Sequence, residues 1–299
     1  MKSGHSGREA VNVQKPEGLV PEAILEGEIF GKRISQPWGI VSDEFANLYL
    51  VDGGNNRLLK FDNALQPVRE TGGFGSAEGL LNSPTYIAVG NSLNLYVCDG
   101  GNQRISIYDT RLNYVGRIDY SDAEDLLKFG HPAGIAAGDY GEVWIADPDK
   151  SRIAVFNDFG NFDHFVGDVL SYSGLLSKPQ DLARDKFGDF AVLDAGNLKI
   201  VVFSNSGVFR YEFDSDILAY PSALDIDKYG NFWIVDRNPA SVLCFNKKGD
   251  LLFSIGTFGR EGDYSFNQPH DLALLQKDRI VISDTGNDRL LIYRILYPQ

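Results

Sequence analysis

Two cysteines, one methionine and four histidines are all that 299 residues hold of these types. A disulfide framework needs more cysteines than Cys98 and Cys244, and no C-x-x-C spacing occurs. Both cysteines lie inside apolar strand-like runs, so they read as small buried side chains. Long hydrophobic runs are absent too. Nothing approaches the roughly 20 apolar residues of a membrane-crossing helix, so the chain is expected to be soluble, without membrane insertion. Residues 1–21 are polar, and no export signal is expected in the chain as written; the compartment stays open. Positive charge is scarce: 28 Lys and Arg against 41 Asp and Glu leave a formal charge of −13. Phosphate backbones demand clustered Lys and Arg, so neither a nucleic-acid partner nor an anionic membrane surface is expected. No P-loop, no dinucleotide fingerprint and no Ser-His-Asp arrangement can be read.

What is present is a repeat. The chain is rich in Phe (19), Tyr (14) and Gly (32), which favours strands and turns over helices. Aligned on proline, six copies appear: Gln36-Pro37-Trp38, Ser83-Pro84-Thr85, His131-Pro132-Ala133, Lys178-Pro179-Gln180, Tyr220-Pro221-Ser222 and Gln268-Pro269-His270. Fifteen residues after each proline stands an aspartate: Asp52, Asp99, Asp147, Asp194, Asp236 and Asp284. The period is 47 or 48 residues, with a single interval of 42 between Pro179 and Pro221. Each copy reads as four short strands punctuated by Gly, Asn and Asp. Four-stranded units at this period predict a six-bladed, all-β propeller of antiparallel blades.

The sixth copy ends at Tyr293-Arg294-Ile295, which leaves no sequence for its outermost strand. Ala23 to Gly31 precedes the first proline and reads like the fourth strand of the fifth copy, Leu251 to Gly259. An N-terminal strand is therefore expected to close the ring and protect two open sheet edges. This divides the chain into a polar tail, 1–22, and a propeller, 23–299.

The segments Asp52-Gly53-Gly54-Asn55-Asn56-Arg57, Asp99-Gly100-Gly101-Asn102-Gln103-Arg104 and Asp284-Thr285-Gly286-Asn287-Asp288-Arg289 each follow a strand. In this they resemble the NHL repeat. Asp194 to Lys199 is a conservative variant, the third copy has Lys150 in place of the Asn, and the fifth keeps only Asp236, with Ser241 at the Arg position. The resemblance implies a propeller over about residues 23–295 and does not fix a function.

Identical placement in all six copies marks the aspartates and their arginines as structural, the carboxylate accepting N–H groups of the turn that follows it and pairing with the Arg five residues on. Specificity is expected where the copies differ. The residue after each proline should ring one mouth of the central channel, and the Asp-to-Arg loop should open on the same face. The candidate ligand or partner site is thus Trp38, Tyr86, Asp149, Gln180, Asp181, Arg237, Asn238, His270 and Asp271. No catalytic residue is assigned. No cofactor or zinc is expected, since His270 alone occupies a first-strand position where three ligands would be needed. A hard cation such as calcium, held by Asp181, Asp271 and carbonyls, is the alternative. The favoured function is a monomeric, non-catalytic propeller that presents this face to a protein, peptide or glycan. A lyase or hydrolase at the channel mouth is the competing reading.

Overall fold

A computed structural model describes residues 14–90, 93–119 and 130–298. Residues 1–13, most of the polar tail, lie outside the described residues. Six four-stranded antiparallel sheets follow one another around a ring, one for each proline-to-aspartate repeat. Blade 1 consists of Pro37–Ser42, Leu48–Asp52, Arg57–Phe61 and Pro67–Gly72, from the channel outward. Blades 2, 4 and 5 repeat this order from Pro84, Pro179 and Pro221. In blade 3 the innermost strand is reduced to Ile135–Ala137.

The second strands of blades 1, 3, 4 and 5 are buried end to end, because both faces meet a neighbouring blade; these strands therefore read as continuous apolar runs. The blades interlock through large side chains. Trp144 of blade 3 stacks on Phe190 of blade 4, with centroids 4.2 Å apart, and Phe213 of blade 4 meets Phe232 of blade 5 edge-on at 5.2 Å. Trp144 and Trp233 are fully buried, as are the unpaired Cys98 and Cys244. Each such apolar side chain contributes roughly 1.5–3 kcal/mol on burial.

Blade 6 combines both ends of the chain. Its inner strands are Pro269–Leu275, Arg279–Asp284 and Arg289–Leu296, and its outermost strand is Gly18–Leu25, paired antiparallel from Gly18 opposite Leu296 to Leu25 opposite Leu290. The closing strand is where the repeat arithmetic requires one. It begins earlier than the Ala23–Gly31 reading, so the division after residue 22 falls inside it. The reason lies in Gly27 and Gly31, whose positive φ angles turn the chain into a small ribbon, Glu28–Ile29 with Lys32–Arg33.

Candidate functional site

The repeat aspartates form a buried corner in each blade, and all six are fully buried. Their bonding corrects the expectation from sequence. The N–H groups that the carboxylates accept belong mainly to the residue two before the proline: Ser35 to Asp52 at 2.9 Å, Asn82 to Asp99 at 2.7 Å and Asn267 to Asp284 at 2.6 Å. The turn after the aspartate uses its own N–H groups elsewhere. Gly54, Gly101 and Gly286 donate to the carbonyls of Ser35, Asn82 and Asn267. The two segments come so close that a Cβ at Gly286 would lie 2.6 Å from the Asn267 carbonyl oxygen. The Arg partners are as expected: Arg57, Arg104 and Arg289 reach Asp52, Asp99 and Asp284 at 2.7, 2.9 and 2.8 Å. In blade 3, where Lys150 replaces Asn, the Arg152–Asp147 pair lengthens to 3.3 Å, and burial raises the Asp147 carboxyl above its ordinary range.

The first strands of blades 1, 2, 4, 5 and 6 carry a bulge just after the proline, as between Pro179 and Asp181. A bulge re-aims side chains, here at the positions where the copies differ most. Two places after the proline the chain meets the next blade. Gly134 is needed there because a side chain would collide with the Cα of Asp181. In blades 4 and 6 the same position is an aspartate that bonds the neighbouring backbone: Leu224 N–H donates to Asp181 at 2.8 Å, and Ile40 N–H to Asp271 at 2.7 Å. Asp225, which the sequence reading overlooked, does the same for Leu274 N–H at 2.8 Å. Asp181 and Asp271 are thus not rim carboxylates. They line an inner channel cavity of about 320 Å³, together with Asp225 and Tyr86. Burial pushes Asp181 well up, Asp271 to about 7 and Asp225 to about 6, reinforced by repulsion from Asp271 and Asp225 at Asp181, from Asp225 at Asp271 and from Asp227 at Asp225. Among the described residues no three His, Cys, Asp or Glu side chains are gathered as a metal site would require.

Above this cavity Tyr86 spans the ring from blade 2 to the opposite blades. Its hydroxyl donates to the Ser222 carbonyl at 2.8 Å and accepts from Gln180 Nε2 at 2.8 Å. Burial and the nearby Asp181 raise the phenol well above its usual value, so it stays a donor. His270 lies against Tyr86 and Trp38, with ring centroids 5.1 and 4.0 Å away. It is buried, its Nδ1 has no hydrogen-bond partner, and burial together with Arg237 holds the imidazole neutral. Trp38 is half-buried, one edge resting on the backbone of Gly53, rather than a freely exposed platform.

A larger cavity, about 740 Å³, opens at the proline end over blades 4 to 6. Gln180, Arg237 and Asn238 line it, as do Lys178, Tyr220 and Gln268, which sequence reasoning missed. These last three directly precede a proline and vary between copies, so the signal used for the residues after the proline would have found them. Asp149 is not part of this lining; its carboxylate is tied to the His131 ring and N–H at 2.8 and 2.9 Å.

The NHL repeat family matches residues 81–108 and 266–293, which run from just before the proline through the third strand of blades 2 and 6. The chain carries NHL repeats. No curated protein matches it in sequence. Similar solved structures share the fold at low identity. A streptogramin B lyase aligns with TM-score 0.66 and 13% identity over 92% of this chain and 98% of its own. A gluconolactonase of Xanthomonas campestris aligns with TM-score 0.68 and 15% identity over 97% and 99%. A chain of a nidogen/laminin complex aligns with TM-score 0.65 and 13% identity over 91% and 97%. Among the described residues no helix is long and apolar enough to cross a membrane.

Proposed function

We propose that this NHL-repeat propeller is a binding protein whose proline end receives a segment of a protein, peptide or glycan partner. The observation that carries the reading is the 740 Å³ cavity, whose lining includes Lys178, Gln180, Tyr220, Arg237, Asn238 and Gln268, positions at which the copies differ; half-buried Trp38, packed on His270, lies outside that lining but follows a blade proline as Gln180 does. Trp and Arg are among the side chains most enriched at binding hot spots. The nidogen/laminin complex offers a propeller of similar fold found in a protein assembly. Screening peptide and glycan arrays should find binders that Trp38→Ala weakens by about 30-fold or more while the protein still melts as the parent does. Binders that ignore Trp38→Ala, or that map to the opposite end where the Asp43–Asn47 turn lies, would overturn the reading.

One observation favours the second reading, a lyase or hydrolase. His270 is buried, neutral and lacks a partner on Nδ1, beside the Tyr86 phenol and Arg237. A neutral imidazole of that kind can act as a general base. Turnover of a streptogramin B or of gluconolactone, the compounds that the similar structures are named for, that is abolished by His270→Ala would establish it.

A further inference from the structure

We infer that the proline-end cavity is a receptor for a carboxylate group, with the Arg237 guanidinium as the charge that binds it. The inference rests on the proline end being the binding face and adds the chemistry of the ligand. Arg57, Arg104, Arg152 and Arg289 each hold a repeat aspartate. Arg237 differs. It follows Asp236 directly, and that carboxylate is already occupied by the N–H groups of Ala219, Tyr220 and Asn238 at 2.7, 2.9 and 3.2 Å. Among the described residues no carboxylate pairs with Arg237, although the chain holds 41 acidic side chains.

The surroundings leave its charge in place. Its companions in the cavity, Gln180, Ser222, Asn238 and Gln268, are uncharged, and Lys178 adds a second cation at the rim. The channel carboxylates face the inner cavity, their oxygens bonded to backbone N–H groups, and burial raises the Asp181 carboxyl well above its ordinary range and Asp271 to about 7. A half-buried guanidinium presents two parallel N–H donors, which match the two oxygens of a carboxylate. A single negative charge suits one such fork, with side-chain amides to orient the rest of the ligand.

Trp38 supplies the readout, because it is the half-buried tryptophan at this end while Trp144 and Trp233 are sealed in the core. The full chain is titrated with N-acetylalanine against its amide, and with glucuronate against glucose, following Trp38 fluorescence. At least one carboxylate should bind about tenfold or more tightly than its neutral twin, and added salt should narrow the gap. Which pair shows the preference tells a peptide end from an acidic sugar. Arg237→Ala should abolish the preference with an unchanged melting temperature, and Arg237→Lys should retain part of it. The inference falls if neither carboxylate binds below about 10 mM, or if acid and neutral twin bind alike. It falls also if the preference survives Arg237→Ala. If it falls while array binders still depend on Trp38, the binding-face reading stands.

Discussion

Two sets of aspartates in this propeller behave differently. The corner aspartates, one per blade, gather a backbone N–H and, in blades 1, 2 and 6, an Asn amide and an Arg from their own blade. The channel aspartates, buried Asp181 and Asp271 with partly buried Asp225, bond the backbone of the next blade, have no cation bonded to them among the described residues, and raise one another's carboxyls by repulsion at Asp181 and Asp271. Burial alone therefore does not decide what a carboxylate does; the charge placed beside it does. The first set fixes the shape of each blade. The second holds blades together at the cost of a titratable channel, and it occurs only where the copies have diverged.

The largest effect should come from opening the ring. Deleting residues 1–25 removes the outermost strand of blade 6 and bares the edge of Arg289–Leu296, so soluble monomer should be lost or the melting temperature should fall by about 10 °C or more. A truncated protein that elutes and melts like the parent would refute closure by this strand.

Next come the corners themselves. Asp99→Ala strands Arg104 in the interior and should cost about 3–5 kcal/mol in denaturant unfolding. Asp236→Ala leaves no buried Arg behind, since Ser241 stands at that position, and should cost about 1–3 kcal/mol through its unpaired N–H groups. Equal losses would show that the arginine adds nothing to the corner.

A smaller effect should separate the channel set. Asp225 and Asp271 titrate at about 6 and about 7 in the folded chain, against about 3.9 when unfolded. The fold thus binds their protons more tightly. The stability this gives is fully present below about pH 4 and is lost as pH rises through 6 to 7. The melting temperature should fall between pH 5 and pH 8, and less steeply in Asp225→Asn. Asp109 and Asp149, whose hydrogen bonds lower their carboxyls, act in the opposite sense and only in more acidic solution. A melting temperature that rises over pH 5–8 would mean that the channel carboxylates are ionised throughout.

The smallest change in stability belongs to the mouth. Arg237→Ala should alter unfolding free energy by no more than about 0.5 kcal/mol, since among the described residues the side chain bonds no protein group. A loss as large as that of Asp236→Ala would make Arg237 part of the corner rather than of the cavity.

The blade count, the strand order, the closure of the ring by the N-terminal segment and the structural role of Asp52 and its five counterparts were all legible in the sequence. Each depends on local spacing, which a repeat displays six times over. A proline and an aspartate fifteen residues later suffice to place a blade. What these residues do to one another across the ring was settled by the tertiary structure alone. Tyr86 meets Gln180 and Ser222 from the far side of the channel, Asp181 and Asp271 turn toward the next blade instead of the rim, and Asp149 is drawn to His131. Such contacts join residues up to 231 positions apart in the chain. They follow from the closed ring and, in blades 1, 2, 4, 5 and 6, from the bulge after the proline that re-aims first-strand side chains, and no local spacing in the sequence displays which of these side chains meet.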